Sequence, residues 1–131
     1  FSTYCYLLQH ISKMIPLHKI HTIPGITSYN AAACLSNFSL IEQDEKLAII
    51  PVSKEIEKLR PILETFETVV LMKVAKKLDA VIDLLEEMKL LNHSLFASYV
   101  GRENEFMTHD LKSLKGSSKG YLSVIIVRKK S

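Results

Sequence analysis

Hydroxyl, thioether and ammonium groups that fall just beyond apolar runs are the residues of this chain whose types and spacing could do chemistry. In Ile23-Pro24-Gly25-Ile26-Thr27-Ser28, a proline without an N–H and a glycine open to unusual backbone angles precede two hydroxyls where a helix would begin. Such a turn can end a strand, reverse the chain and present donors to a ligand, or it can be a plain strand-to-helix connection. Met72-Lys73 and Gly101 occupy comparable places further along. Ligands of open α/β sheets bind beyond the strand ends, which makes Thr27, Ser28, Met72, Lys73 and Gly101 one candidate set. Each also has a plainer reading. A methionine in an apolar strand ordinarily packs, Gly101 would serve as a turn, and Lys73 either marks the exposed end of its strand or faces a pocket.

The usual catalytic signatures are missing: there is no GxGxxG after a strand, no P-loop, no GxSxG and no HExxH. Of the five histidines (His10, His18, His21, His93, His109), only His18 and His21 are close, and without a third ligand they read as surface residues, so no metal is assigned. Glu86-Glu87 reads as a solvated or ion-paired couple on the outside of a helix. Cys5 and Cys34 lack metal or CxxC spacing and read as reduced core thiols of a cytoplasmic protein. The net charge of +3 comes without a basic stripe interleaved with aromatics, which excludes nucleic acid as the expected partner. The surplus could favour an acidic small molecule, while Arg128-Lys129-Lys130 reads as a solvated tail. No apolar run approaches the roughly 18 residues of a membrane span, and no signal-peptide pattern opens the chain.

These residues need elements to position them, and 131 residues suffice for one core. Tyr6, Leu7, His10, Ile11 and Met14 predict a helix over 3–14 that Pro16 stops, followed by an extended segment from Leu17 to Ile23. Thr27 or Ser28 caps a helix whose small residues, Ala31-Ala32-Ala33-Cys34, allow close approach. Residues 39–45 read as a loop and Leu47–Val52 as a buried strand. Ser53 then starts a helix without a capping box, which Pro61 must kink or end. Thr68–Val74 predicts a central strand, and residues 75–90 a helix with Leu78, Val81, Ile82, Leu85 and Met88 inward. Ser94–Val100, a short strand Glu105–His109, a Gly/Ser/Lys loop at 115–119 and a buried strand Tyr121–Val127 complete an α/β layer structure whose last part pairs antiparallel.

Several stretches taken in order also resemble one family. Phe1-Ser2-Thr3-Tyr4 entering a helix, the 23–28 turn before an Ala-rich helix, Thr68–Val74, Val100-Gly101-Arg102-Glu103 and Tyr121–Arg128 resemble the tetrapyrrole methylases, and within them the precorrin-2 (cobalt-factor II) C(20)-methyltransferase branch. The resemblance implies a two-domain α/β enzyme that transfers a methyl group from S-adenosylmethionine, releasing S-adenosylhomocysteine, to an acidic tetrapyrrole. It implies a homodimer with the cofactor held between domains. Carried over, it places Thr27, Ser28, Met72 and Gly101 against the cofactor, with Ser2 and Thr3 bordering the cleft, and leaves the catalytic field empty. Lys73 and Arg102 then suit the substrate's carboxylates. The family's glycine-rich loop and Gly-Asp-Pro motif are not found in the sequence. Residues 1–23 are therefore expected to be the tail of a truncated N-terminal domain, and 24–131 the C-terminal methylase domain with a mixed sheet flanked by helices. Uroporphyrinogen-III methyltransferase, or a non-catalytic dimerising or tetrapyrrole-binding module, is the alternative.

Overall fold

Thr68-Val69-Val70-Leu71-Met72 is nearly all β-branched or apolar, and such a run is stable only where both of its faces are covered. A computed structural model describes residues 2–129, with Ser2 given by its backbone alone; Phe1, Lys130 and Ser131 lie outside the described residues. In it this run is strand β2 (Thr68–Met72), its first four residues buried. It joins β1 (Leu47–Pro51), β3 (Ser94–Ser98), β4 (Phe106–Thr108) and β5 (Ser123–Arg128) in a five-stranded sheet of order β1-β2-β5-β3-β4. β1 and β2 are parallel, whereas β5 runs antiparallel to both β2 and β3, and β4 antiparallel to β3. The expected mixed α/β sheet is therefore present. β2 is internal, but the middle strand is β5.

Alternation along the strands sends side chains to two layers. Val69, Leu71, Phe96, Ile125 and Val127 meet Leu63 of helix α3 (Arg60–Thr65) and Val81, Ile82 and Leu85 of α4 (Leu78–Glu87). The helix numbering starts at the amino end, with α1 (Ser2–Ile11) and α2 (Ser28–Leu35). Val70, Leu95, Ala97, Val124 and Ile126 form the other layer, covered by Ala32 and Ala33 of α2. The small alanine side chains let α2 lie close to the sheet, as expected. On α4 the predicted inward residues are buried, Met88 partly, and the acidic face is paired: Asp83 with Lys115, Glu86 with Lys112 and Glu87 with Arg60.

Other expectations are corrected. The 3–14 helix ends at Ile11, and Tyr6, Leu7 and Met14 are exposed, so its apolar face is not covered by the described residues. Leu17–Lys19 is a 3-10 turn, and residues 20–27 have no regular structure. Ser53 does not start a helix. Its Oγ accepts the Glu55 N–H at 3.2 Å, a local bond that competes with helix, and Glu55 takes the cap position of a 3-10 turn, Ile56–Leu59. Pro61 begins a helix rather than ending one, because it falls in the first turn of α3, where its missing N–H has no partner to lose. Cys5 and Cys34 are exposed free thiols; Ala32 and Ala33 take the sheet-facing side of α2 and the next residue is turned away.

The largest correction is at Arg128. It is no tail residue but the last of β5, only 5% exposed. Its Nη2 pairs with Glu42 Oε1 at 2.9 Å and Glu45 Oε2 at 3.3 Å, and its Nη1 donates to the Ser39 carbonyl, so the 39–45 loop is folded over it. Lys129 is also engaged, donating its amide to the Glu67 carbonyl and its Nζ to that of Glu64.

Candidate functional site

Because β5 is antiparallel to its neighbours, its first residues lie beside the last residues of β2 and β3. Val124 faces Met72 across one ladder and Ser123 faces Ser98 across the other. All three strand ends open on one concavity of about 490 Å³, lined among others by Ser28, Met72, Lys73, Tyr99, Arg102 and Tyr121. That volume lies within the roughly 300–1,000 Å³ of small-molecule sites.

The backbone here is forced into an unusual shape. Lys73 (φ 58°), Tyr99 (φ 52°) and Leu122 (φ 46°) all take left-handed angles at the end of β2, the end of β3 and the start of β5, and all three line the cavity. For residues with a Cβ each such angle costs about 1–2 kcal/mol, so the surroundings must hold it. They do so by hydrogen bonds. The Tyr99 amide donates to the Leu122 carbonyl at 3.0 Å, the Arg102 amide to the Tyr99 carbonyl at 3.0 Å, and the buried Ser123 hydroxyl to the Gly120 carbonyl. Gly101 (φ 77°) supplies the left-handed corner between Val100 and Arg102, and its amide donates to Glu105 Oε2 at 2.7 Å.

The chemistry of the lining is aromatic and cationic. The rings of Tyr99 and Tyr121 stand 6.3 Å apart at 57° to one another, Met72 forms a half-buried apolar wall, and Lys73 and Arg102 are exposed. Among the described residues neither cation has an ion-pair partner, and no carboxylate or histidine lines the cavity. Such a surface can hold a flat or anionic molecule. Its lining offers neither the carboxylate nor the imidazole that most often does general acid or base work.

The structure thus brings together Ser28, Met72, Lys73 and Arg102 from three separate stretches of sequence. Met72 fits both of its readings, since it packs against the α2 layer and lines the cavity; Lys73 is at once beyond its strand's end and at the cavity. Thr27 precedes Ser28 at the cap position of α2 but makes no cap bond, and its Oγ1 is buried with no hydrogen-bond partner. Gly101 stays off the lining, with its amide already engaged. Thr3 lies elsewhere, in a concavity on α1 with Tyr6, Leu7 and His10, and the Ser2 side chain lies outside the described residues. Tyr99, Gly120, Tyr121 and Leu122 were not singled out from sequence. Their only signal is position beside Gly101 and before the last strand, which acquires meaning once β5 is known to insert between β2 and β3. Among the described residues there is no cluster of His, Cys, Asp and Glu able to hold a metal, and no helix long and apolar enough to cross a membrane.

The chain is similar to known proteins in sequence and in fold. A family model described as Tetrapyrrole (Corrin/Porphyrin) Methylases matches residues 1–114. The cobalt-precorrin-2 C(20)-methyltransferase of Salmonella typhimurium is 28% identical over 130 residues, covering 98% of this chain and 54% of that protein. Among solved structures, a cobalt precorrin-4 methyltransferase, a cobalamin biosynthetic enzyme, superposes with a TM-score of 0.66 at 16% identity over 95% of this chain and 56% of its own. The uroporphyrin-III C-methyl transferase of Thermus thermophilus, complexed with S-adenosylhomocysteine, gives 0.58 at 18% identity over 96% and 57%. The chain spans about half the length of each of these proteins.

Proposed function

Given that this chain belongs to the tetrapyrrole (corrin/porphyrin) methylase family, we propose that it serves S-adenosylmethionine-dependent methylation in corrin assembly, with precorrin-2 or cobalt-factor II as substrate and ring carbon 20 as the position methylated. The observation that carries the reading is the strand-end cavity, where a hydroxyl, a thioether wall, two tyrosine rings and two cations that meet no carboxylate among the described residues converge. The C(20) assignment is supported by the relative that aligns with 98% of the chain.

The residues present fit the cofactor on two counts. The cavity has the volume of a small-molecule site, and next to the lining residue Ser28 the buried Thr27 hydroxyl lacks a partner that a polar ligand atom would provide. Thr27, Ser28 and Met72 would hold it. When bound, S-adenosylmethionine supplies an electrophilic methyl group, which is why a lining without carboxylate or imidazole is chemically sufficient. The chain's own contribution is to position the partners and to keep water from the apolar wall. Lys73 and Arg102 meet the substrate's carboxylates as charge-assisted donors. Residues 24–131 act as the C-terminal methylase domain and residues 1–23 as the end of a preceding one. The exposed apolar side chains of Met14, Leu17, Ile23 and Ile26 support this, since they suit cover by another domain or by the second subunit of a homodimer.

Isothermal titration of S-adenosylhomocysteine into the full-length gene product tests the reading. Saturable binding in the micromolar range is expected, and no heat up to millimolar ligand would overturn it. Mass spectrometry and NMR of the methylated product then separate carbon 20 from the ring positions used by uroporphyrinogen methylases.

A further inference from the structure

Between the 3-10 turn at Lys112–Leu114 and β5, residues 117–122 cross the ends of β2 and β3 as a strap, whose Tyr121 and Leu122 form one side of the cavity. Three attachments hold it down. Lys119 Nζ stands 3.4 Å from the centroid of the Phe106 ring, the Ser123 hydroxyl binds the Gly120 carbonyl, and the Tyr99 amide binds the Leu122 carbonyl. At its centre Gly120 is buried against Ala75, in the turn that follows Lys73. A Cβ at Gly120 would stand 2.6 Å from both the Cα and the carbonyl oxygen of Ala75. Contact between carbon atoms is comfortable only at about 3.5–4.0 Å, so any side chain lifts the strap by roughly 1 Å. The atoms met are backbone, and no rotamer change at Ala75 relieves the clash.

We propose that Gly120 is a positioning residue of this site: by lacking a side chain it seats the strap on the backbone of Ala75, and so fixes Tyr121 opposite Tyr99 and Leu122 over the strand ends. The requirement is for close approach, since Gly120 does not take a left-handed angle. The strap itself lies outside both apolar clusters, so its displacement leaves the sheet and its helices in place. The inference rests on the cofactor reading for its ligand, but its geometric part does not depend on that reading.

The test uses the full-length gene product labelled with 3-fluorotyrosine, in which the fluorine resonances of Tyr99, Tyr121 and Tyr29 are assigned by single Tyr→Phe variants. Gly120→Ala is expected to shift the Tyr99 and Tyr121 resonances, to leave Tyr29 on α2 unmoved, and to weaken S-adenosylhomocysteine binding about tenfold, the value of one well-placed aromatic contact. Unmoved Tyr99 and Tyr121 resonances with affinity within about twofold would overturn the proposal, and so would shifted resonances with unchanged affinity. If circular dichroism finds Gly120→Ala unfolded, Lys119→Met decides. This exposed substitution removes only the cation–π attachment, and it should shift Tyr121 and weaken binding about threefold, whereas no change in either would overturn the proposal. If the unaltered protein binds no S-adenosylhomocysteine, the functional reading fails, and the fluorine comparison alone decides whether Gly120 seats the strap.

Discussion

The two ends of β5 use positive charge in opposite ways. At the carboxyl end, Arg128 is enclosed: two carboxylates and a carbonyl take its guanidinium, and the 39–45 loop is pinned over the strand. At the amino end, Lys73 and Arg102 stand exposed around a cavity and, among the described residues, meet no carboxylate. A buried charge must be neutralised within the protein because water no longer solvates it, and once neutralised it has little attraction left for a ligand. A cation left in water without a partner keeps that attraction. The contrast separates a structural arginine at one end of β5 from exposed cations that line a cavity at the other.

Breaking the enclosed end should have the largest effect. Arg128→Ala leaves the Glu45 side chain, 10% exposed, as a carboxylate without its cation, and should lower unfolding stability by about 3 kcal/mol in urea titrations. At the open end, Lys73→Ala and Arg102→Ala should each leave stability within about 0.5 kcal/mol while weakening binding of a carboxylate-bearing tetrapyrrole about tenfold. Uroporphyrin III is a suitable probe by fluorescence quenching, and the loss should shrink at high salt. If these variants unfold the protein as Arg128→Ala does, or bind unchanged, the contrast is wrong.

A finer comparison lies within the enclosed end itself. Glu45→Gln should cost about 1–2 kcal/mol, because its carboxylate is buried against the guanidinium, whereas Glu42→Gln, at a side chain 63% exposed, should cost less than about 0.5 kcal/mol. Equal costs would mean that burial does not set the value of these pairs. The smallest effect is expected on the outer face of α4, at Lys115, whose hydrogen bond to Asp83 raises its pKa above the ordinary 10.5. A raised value means that the pair stabilises the fold in full below pH 10.5, and that this is lost as pH rises through the raised value. Melting temperatures of Lys115→Met and the unaltered protein should therefore differ slightly at pH 9 and converge at strongly alkaline pH.

Where the sequence carried a strong local signal, the structure follows it. The β-branched run read as a strand over 68–74 is one at Thr68–Met72, the amphipathic period of 75–90 gives a helix at Leu78–Glu87 with its acids outward, and Ala32-Ala33 is a close-packed helix face. Part of the site was equally legible, because Ser28, Met72 and Lys73 lie at ends of elements that can be placed from the chain alone. Tyr99, Gly120, Tyr121 and Leu122 were not, since their role depends on which strands are neighbours. Arg128 misled for the same reason: a run of basic residues reads as solvated until a loop more than 80 residues away is seen to bring two carboxylates to it.

The sequence by itself determined the strongly patterned elements β2 and α4, their apolar faces and the positions of a serine at the start of a helix and of a methionine and a lysine at the end of a strand, because propensity and periodicity are properties of neighbours in the chain. Only the tertiary structure decided that β5 inserts antiparallel between β2 and β3. That single pairing puts the start of the last strand beside the ends of two earlier ones, and it gathers the residues of the cavity at one end and the carboxylates around Arg128 at the other. Strand order is set by burial summed over the whole sheet, and no local stretch of sequence carries that sum.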